Sequence, residues 1–164
     1  MNKKLRDALN DQINKEFYSA YLYLSMAAYC DSMLFSGFAH WLKVQFHEEW
    51  AHGMKLYDFL VGRGEKVILK AIDQPPIKFT SSLGLFEQVY RHEQKVTGMI
   101  KRLGVISDEV GDSEAAVFLR WFVKEQVEEE ENATRIIAGF KSGKSGSESV
   151  AAMDRKLARR KGPG

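Results

Sequence analysis

The chain predicts an all-α fold: a bundle of four long helices, a long crossover between the second and third, and a short fifth helix at the C-terminal end. Three observations carry that reading. Four stretches of roughly 28 residues repeat their apolar side chains at helical spacing. Turn signals separate them, at Ser32 to Gly37, Gly62-Arg63-Gly64, Gly111-Asp112 and Ser142 to Ser147. One connection, about residues 64–81, has no helical period and contains Pro75-Pro76, which forbids helix there.

The first helix, about 3–32, buries Leu9, Ile13, Ala20 and Ala27, with Glu16 and Tyr23 seven residues apart in the same series. The second, about 36–63, carries Phe38, Leu42, Gln45, Glu49, His52, Leu56 and Phe59 inward. Glycines at 62 and 64 stop it. In the connection, Val67, Ile68, Leu69 and Ile72 predict an extended segment lying on apolar surface. A helix of this length is roughly 42 Å long, and some 18 extended residues reach roughly 60 Å. The connection can therefore run the whole length of the bundle and make helices two and three parallel.

Ser81 or Ser82 is the expected cap of the third helix. Its series is Leu85, Val89, Glu93, Val96, Ile100 and Leu103. Gly98 and Gly104 weaken it by about 1 kcal/mol each relative to alanine, so packing is expected to tolerate them, or they mark a kink. The fourth helix, about 112–140, carries Ala115, Leu119, Phe122, Gln126, Glu129, Ala133, Ile136 and Phe140. The short helix is expected over about 148–159. The bundle (about 3–140), this helix and a basic tail (155–164) read as one domain over 1–164.

Every inward seam is interrupted by acid or amide near its middle: Glu16, then Glu49 with His52, then Glu93, then Gln126 with Glu129. Helices of matched length bring their midpoints to one height. Four carboxylates would then meet in an apolar centre, where an unpaired charge is very costly. No lysine or arginine lies in the four series. Bound cations are the economical compensation, and oxygen ligands with one imidazole suit two iron ions bridged by carboxylate. The pair Glu49-x-x-His52 puts its two side chains on one helix face. Glu48, Glu125 and Glu128 flank the centre and could hold a third cation. His40, His47 and His92 read as surface or packing residues, and Trp121 as core or a neighbour of the centre.

Composition fits a globular chain: 45% apolar, 28% charged, net charge +2. No apolar run approaches membrane-spanning length. Cys30 is the only cysteine, which excludes an intrachain disulfide and a thiolate cluster. The basic charge gathers at Arg155, Lys156, Arg159, Arg160 and Lys161. Such a tail can meet phosphate, nucleic acid or an acidic neighbouring subunit, or simply be solvated. A cytoplasmic protein is expected, with no membrane partner.

The sequence resembles the bacterial non-haem ferritins over nearly its whole length. The resemblance is carried by Leu9-Asn10-Asp11-Gln12-Ile13-Asn14-Lys15-Glu16-Phe17-Tyr18-Ser19, by the Glu49-x-x-His52 helix, by Tyr90-Arg91-His92-Glu93-Gln94, and by Phe118 through Glu130. It implies a ferritin-like four-helix bundle with one crossover. It also implies a first iron held by Glu16, Glu49 and His52, and a second bridged by Glu49 and held by Glu93, Gln126 and Glu129. Glu48, Glu125, Glu128 and Glu129 resemble the family's third iron site, and Tyr23 its electron-supplying tyrosine. The implied activity is oxidation of Fe(II) by O2 or H2O2, with ferric mineral stored in a hollow homo-oligomeric shell of 24 subunits.

Departures from related families sharpen the expectation. Gln126-x-x-Glu129 stands where bacterioferritins have a second Glu-x-x-His, which favours a centre that passes iron to a store. Trp50 stands where bacterioferritin has its haem-ligating methionine, so no haem is expected. Gly98, Gly104 and the basic end depart from the pattern of the ferritins themselves. A DNA-binding mini-ferritin would place iron between subunits, against the intrasubunit constellation here, so nucleic acid is not expected as a partner. A rubrerythrin-type di-iron oxidase or peroxidase would carry a Cys-x-x-Cys module, which a single cysteine cannot form.

Overall fold

The computed structural model describes residues 1–142 and 147–162, with the side chains of 147 and 148 left aside. Five helices follow in order: α1 (Lys3–Ser32), α2 (Ser36–Gly62), α3 (Ser82–Glu109), α4 (Ser113–Ser142) and α5 (Ser147–Leu157). Of the predicted break from Ser142 to Ser147, residues 143–146 lie outside the described residues, as does the end of the basic tail at 163–164. No described helix is long and apolar enough to cross a membrane.

Local chemistry sets the helix ends. The Asn2 side chain accepts from Lys4 N at the start of α1, and Ser81 Oγ accepts from Gly84 N at the start of α3, the serine cap expected from the sequence. Asp112 Oδ1 accepts from Ala115 N at the start of α4, while its carboxylate takes both Arg63 guanidinium nitrogens at 3.1 and 3.2 Å. Arg63 thus ties the end of α2 to the start of α4 and holds the Asp112 carboxyl below its ordinary range. Gly37 was expected in the α1–α2 turn but lies in the first turn of α2, where it is buried.

Two apolar clusters fill the bundle. One joins the C-terminal half of α1 to the N-terminal halves of α2 and α3 and the C-terminal half of α4, with Met153 and Leu157 of α5. The other joins the opposite halves of the same four helices. The shared end of α2 and α3 makes them parallel, as the length of the crossover requires. Between the clusters lies a polar layer holding Glu16, Gln45, Glu49, His52, Glu93, Gln126 and Glu129, all buried.

The crossover runs extended along α1, and apolar contact holds it only at its two ends and at Pro75. Ile68, Leu69 and Ile72 are exposed, while Pro75 is buried and Val67 and Phe79 are partly buried against the two apolar clusters. Its backbone is instead bonded by α1 amide side chains. Asn10 accepts from Ile68 N (2.7 Å) and donates to Lys66 O (3.2 Å); Asn14 accepts from Lys70 N (3.1 Å) and donates to Ala71 O (3.2 Å). A backbone without regular structure needs such partners. Helix α3 tolerates Gly98 and Gly104 and runs on through both; a β-carbon at either would meet nothing within 4 Å.

Candidate metal centre

Four helices each supply side chains to the polar layer because their inward rows are in phase. Glu16, Glu49 and His52 offer ligand atoms that all lie within 4.8 Å of one another, and all three residues are buried. The His52 ring is fixed edge-on by Trp121, 5.4 Å between centroids, and His52 Nδ1 lies 3.7 Å from Glu49 Oε2. Lys55 sits over the outer face of Trp121 at 4.3 Å, closing that side.

Glu93, Gln126 and Glu129 join the same layer through hydrogen bonds. Gln126 Nε2 donates to Glu93 Oε2 at 3.1 Å, and the Tyr23 hydroxyl donates to Glu93 Oε1. Gln45 Nε2 donates to Glu129 Oε2 at 2.8 Å and to Glu49 Oε1 at 3.2 Å, bridging two carboxylates. Gln12 donates to Glu16 at 2.8 Å. Among the described residues every buried side-chain polar atom has a hydrogen-bond partner. Among the described residues, the donors to these acids are three amides and a phenol.

That arrangement leaves the carboxyls poor at holding charge. Burial, then the neighbouring Glu49 carboxylate, pushes Glu16 up to about 8. Burial also raises Glu49, Glu93 and Glu129, and each acid raises its neighbours further. The Tyr23 phenol is raised well above its ordinary value by burial and by Glu93. A cluster of carboxyls pushed toward protonation, beside one imidazole, is what a divalent metal would stabilise in its ionised form.

The flanking acids are less enclosed. Glu48 is half-buried and ion-paired with Arg160; Glu125 is half-buried and Glu128 exposed, and among the described residues neither bonds into the layer. Gln126 also lies at the floor of a groove of about 640 Å³ between α3 and α4, with Thr97, Val123, Val127 and Glu130 on its walls. His40 and His47 are exposed. His92 meets Ser19 Oγ at 2.8 Å and faces Tyr23 edge-on, and burial, then Lys95, pushes its imidazole down to about 4. Trp50 is half-exposed and packs on Phe17, 4.6 Å between centroids. Sequence reasoning placed Gln45 inward without a role. It also treated Arg160 as part of a tail, whereas the guanidinium reaches back to the edge of the layer.

A bundle of four long helices with a crossover and a carboxylate- and imidazole-lined centre defines the class of helical metal-carboxylate proteins. Residues 6–142 match the family described as Ferritin, a ferritin-like domain. A bacterial non-heme ferritin of Staphylococcus saprophyticus is 44% identical over 130 residues, 79% of this chain and 78% of that protein; that of Staphylococcus haemolyticus is 42% identical over the same shares. The crystal structure of an open pore ferritin from the hyperthermophilic archaeon Archaeoglobus fulgidus matches with TM-score 0.96 at 42% identity, covering 98% of this chain and 99% of that one. A humanized archaeal ferritin matches with TM-score 0.97 at 40% identity, covering 100% and 99%. The chain belongs to the ferritin family, and iron storage is the function that membership gives it.

Proposed function

We propose that this chain oxidises Fe(II) at a di-iron centre within each subunit and passes Fe(III) to a mineral inside a 24-subunit shell. The observation that carries this reading is the buried layer itself. Four carboxyls and an imidazole converge where, among the described residues, no lysine or arginine is buried with them. Fe(II) is the substrate. Glu16, Glu49 and His52 hold the first ion, and Glu49 shares its carboxylate with a second held by Glu93, Gln126 and Glu129. Arrival of the two ions displaces the protons that the raised carboxyls carry at neutral pH. Two Fe(II) ions supply the two electrons that reduce dioxygen to peroxide, or peroxide to water. Tyr23, bonded to Glu93, is the alternative donor in this reading, giving one electron and its phenolic proton where a single Fe(II) has supplied the other.

Fe(III) leaves for the mineral because Gln126-x-x-Glu129, an amide and an acid, stands at the second site in place of a second Glu-x-x-His. Glu48, Glu125 and Glu128 flank the layer in sequence and can bind iron in passing. Exposed apolar side chains such as Tyr21, Leu69 and Ile72 support assembly with further copies of the chain. The reading includes no haem and a cytoplasmic location.

The test is to add Fe(II) in air to purified protein and separate the products by size, following iron and protein together. Storage predicts iron far beyond two per chain, eluting with a large assembly. Glu49→Ala and His52→Ala should slow the initial oxidation at least about tenfold with the assembly intact. Initial rates equal to wild type in both variants would remove this centre from the reaction.

A further inference from the structure

The C-terminal segment folds back onto the metal layer. Met153 and Leu157 of α5 are buried, and Asp154 Oδ1 accepts from Phe38 N at 2.8 Å, seating α5 on the start of α2. Just beyond α5 the chain delivers Arg160 to the α2 surface. Its guanidinium stacks over the Trp41 ring, 4.3 Å from the centroid. Nη1 donates to Gln45 Oε1 at 2.9 Å and to Trp41 O at 3.3 Å; Nη2 donates to Glu48 Oε2 at 2.5 Å. His40 Nε2 meets Arg160 O at 2.8 Å, holding the backbone as well.

Gln45 is the link between this clamp and the centre. The residue is fully buried, and its amide nitrogen serves both Glu129 and Glu49. A guanidinium has only donors, so the Gln45 atom facing it must be the oxygen. The nitrogen must then face the carboxylates. Turned about, the amide would set donor against donor on one side and acceptor against carboxylate on the other. With Arg160 in place only one orientation satisfies both ends.

We propose that Arg160 is a positioning residue for the metal centre, fixing the Gln45 amide so that Glu49 and Glu129 are held for metal, and keeping Glu48 turned toward itself. This rests on the reading of the layer as a metal centre. The proposal has a sign that simple electrostatics does not share. A nearby positive charge repels a cation, so by Coulomb interaction alone its removal tightens metal binding. Removal of a positioning partner weakens it, by about 10–100-fold for partners one shell out from a metal.

The measurement is anaerobic titration of Co(II) into full-length assembled protein, read by calorimetry and by the visible ligand-field band. The wild type is compared with Arg160→Lys, Arg160→Ala, Gln45→Ala and Gln45→Ala/Arg160→Ala. Lysine keeps the charge but lacks the planar fork that spans Gln45 and Glu48. Both single arginine variants should bind Co(II) at least about tenfold more weakly, with a shifted band. The double variant should be no weaker than Gln45→Ala alone, because Arg160 acts through that amide. Affinity and band that are unchanged or improved in Arg160→Lys would overturn the proposal, as would a further loss in the double variant. Should Arg160→Ala fail to assemble, Arg160→Lys decides. A wild-type protein that takes up no Co(II) would overturn the centre and this proposal together; wild-type uptake matched by the lysine variant overturns this proposal only.

Discussion

A β-carbon built on Gly37 would fall 1.8 Å from the backbone oxygen of Asp154. Helices α2 and α5 meet there backbone to backbone, with no room for a methyl group. Gly37→Ala must therefore lift α5 from its seat. Overpacking of this kind costs about 1–3 kcal/mol. The expected result is faster amide hydrogen exchange across 147–157, with protection of α1 to α4 retained. Wild-type protection of α5 in the variant would mean that the two backbones have slack to separate without loss.

Metal uptake should release protons, and the pH dependence has a definite direction. An unfolded glutamate titrates near 4.5, whereas Glu16 in the folded, metal-free chain titrates at about 8. Between those values the unfolded state has lost a proton that the native state keeps. Metal-free stability therefore falls as pH rises from about 4.5 to about 8, and levels off above. Zn(II) added at pH 7 to unbuffered protein should release at least about one proton per chain, and little at pH 9. An indicator dye reads this directly; equal release at both pH values would show that the acids are ionised before metal arrives.

Tyr23→Phe removes the hydroxyl that donates to Glu93 and leaves that buried carboxyl with the Gln126 amide. A buried acceptor deprived of a donor costs about 1–3 kcal/mol. The Tyr23 bond also lowers the Glu93 pKa against the effect of burial, so its loss raises that acid further. Zn(II) affinity at pH 7 should fall several-fold and recover as pH rises. A uniform loss at all pH values would assign the phenol a packing role alone.

Leu34 connects α1 to α2 at φ 62° with its side chain 90% exposed. A leucine in this left-handed region costs about 1–2 kcal/mol, and glycine avoids that cost while losing more chain entropy. Leu34→Gly should raise stability by about 0.5–1 kcal/mol, seen as a higher urea midpoint. A lower midpoint would indicate that the exposed leucine is buried against another copy in the assembly.

Much of the bundle is legible along the chain because a helix reports its inward row every three or four residues. Val89, Glu93, Val96 and Ile100, or Leu119, Phe122, Gln126 and Glu129, are consecutive readings of one face, and all are buried. The parallel setting of α2 and α3 follows from counting how far residues 64–81 can reach. What periodicity cannot carry is contact between distant segments. Arg160 lies 115 residues from Gln45, and nothing in the spacing of the tail announces their bond. The same limit applies to Gly37, which reads locally as a turn residue and is in fact a clearance for Asp154. The crossover misled for a related reason: its row of Val67, Ile68 and Leu69 suggests burial, but Ile68 and Leu69 are exposed and the partners that hold the backbone there are asparagines on another element.

Those asparagines impose a condition of commensurability. Asn10 and Asn14 are separated along α1 by about 6 Å, four residues at the helical rise. Ile68 and Lys70, the amides they receive, are separated by about 6.6 Å, two residues of extended chain. Helix and crossover thus run on two rulers whose marks coincide at these positions. One residue inserted between 68 and 70 would advance the crossover by half a mark, so that at most one asparagine could find its amide. A connection without helix or strand thereby acquires a fixed length between these marks, and Ser25 and Tyr29, donating to Pro76 O and Phe79 O, tie it to α1 again before α3 begins.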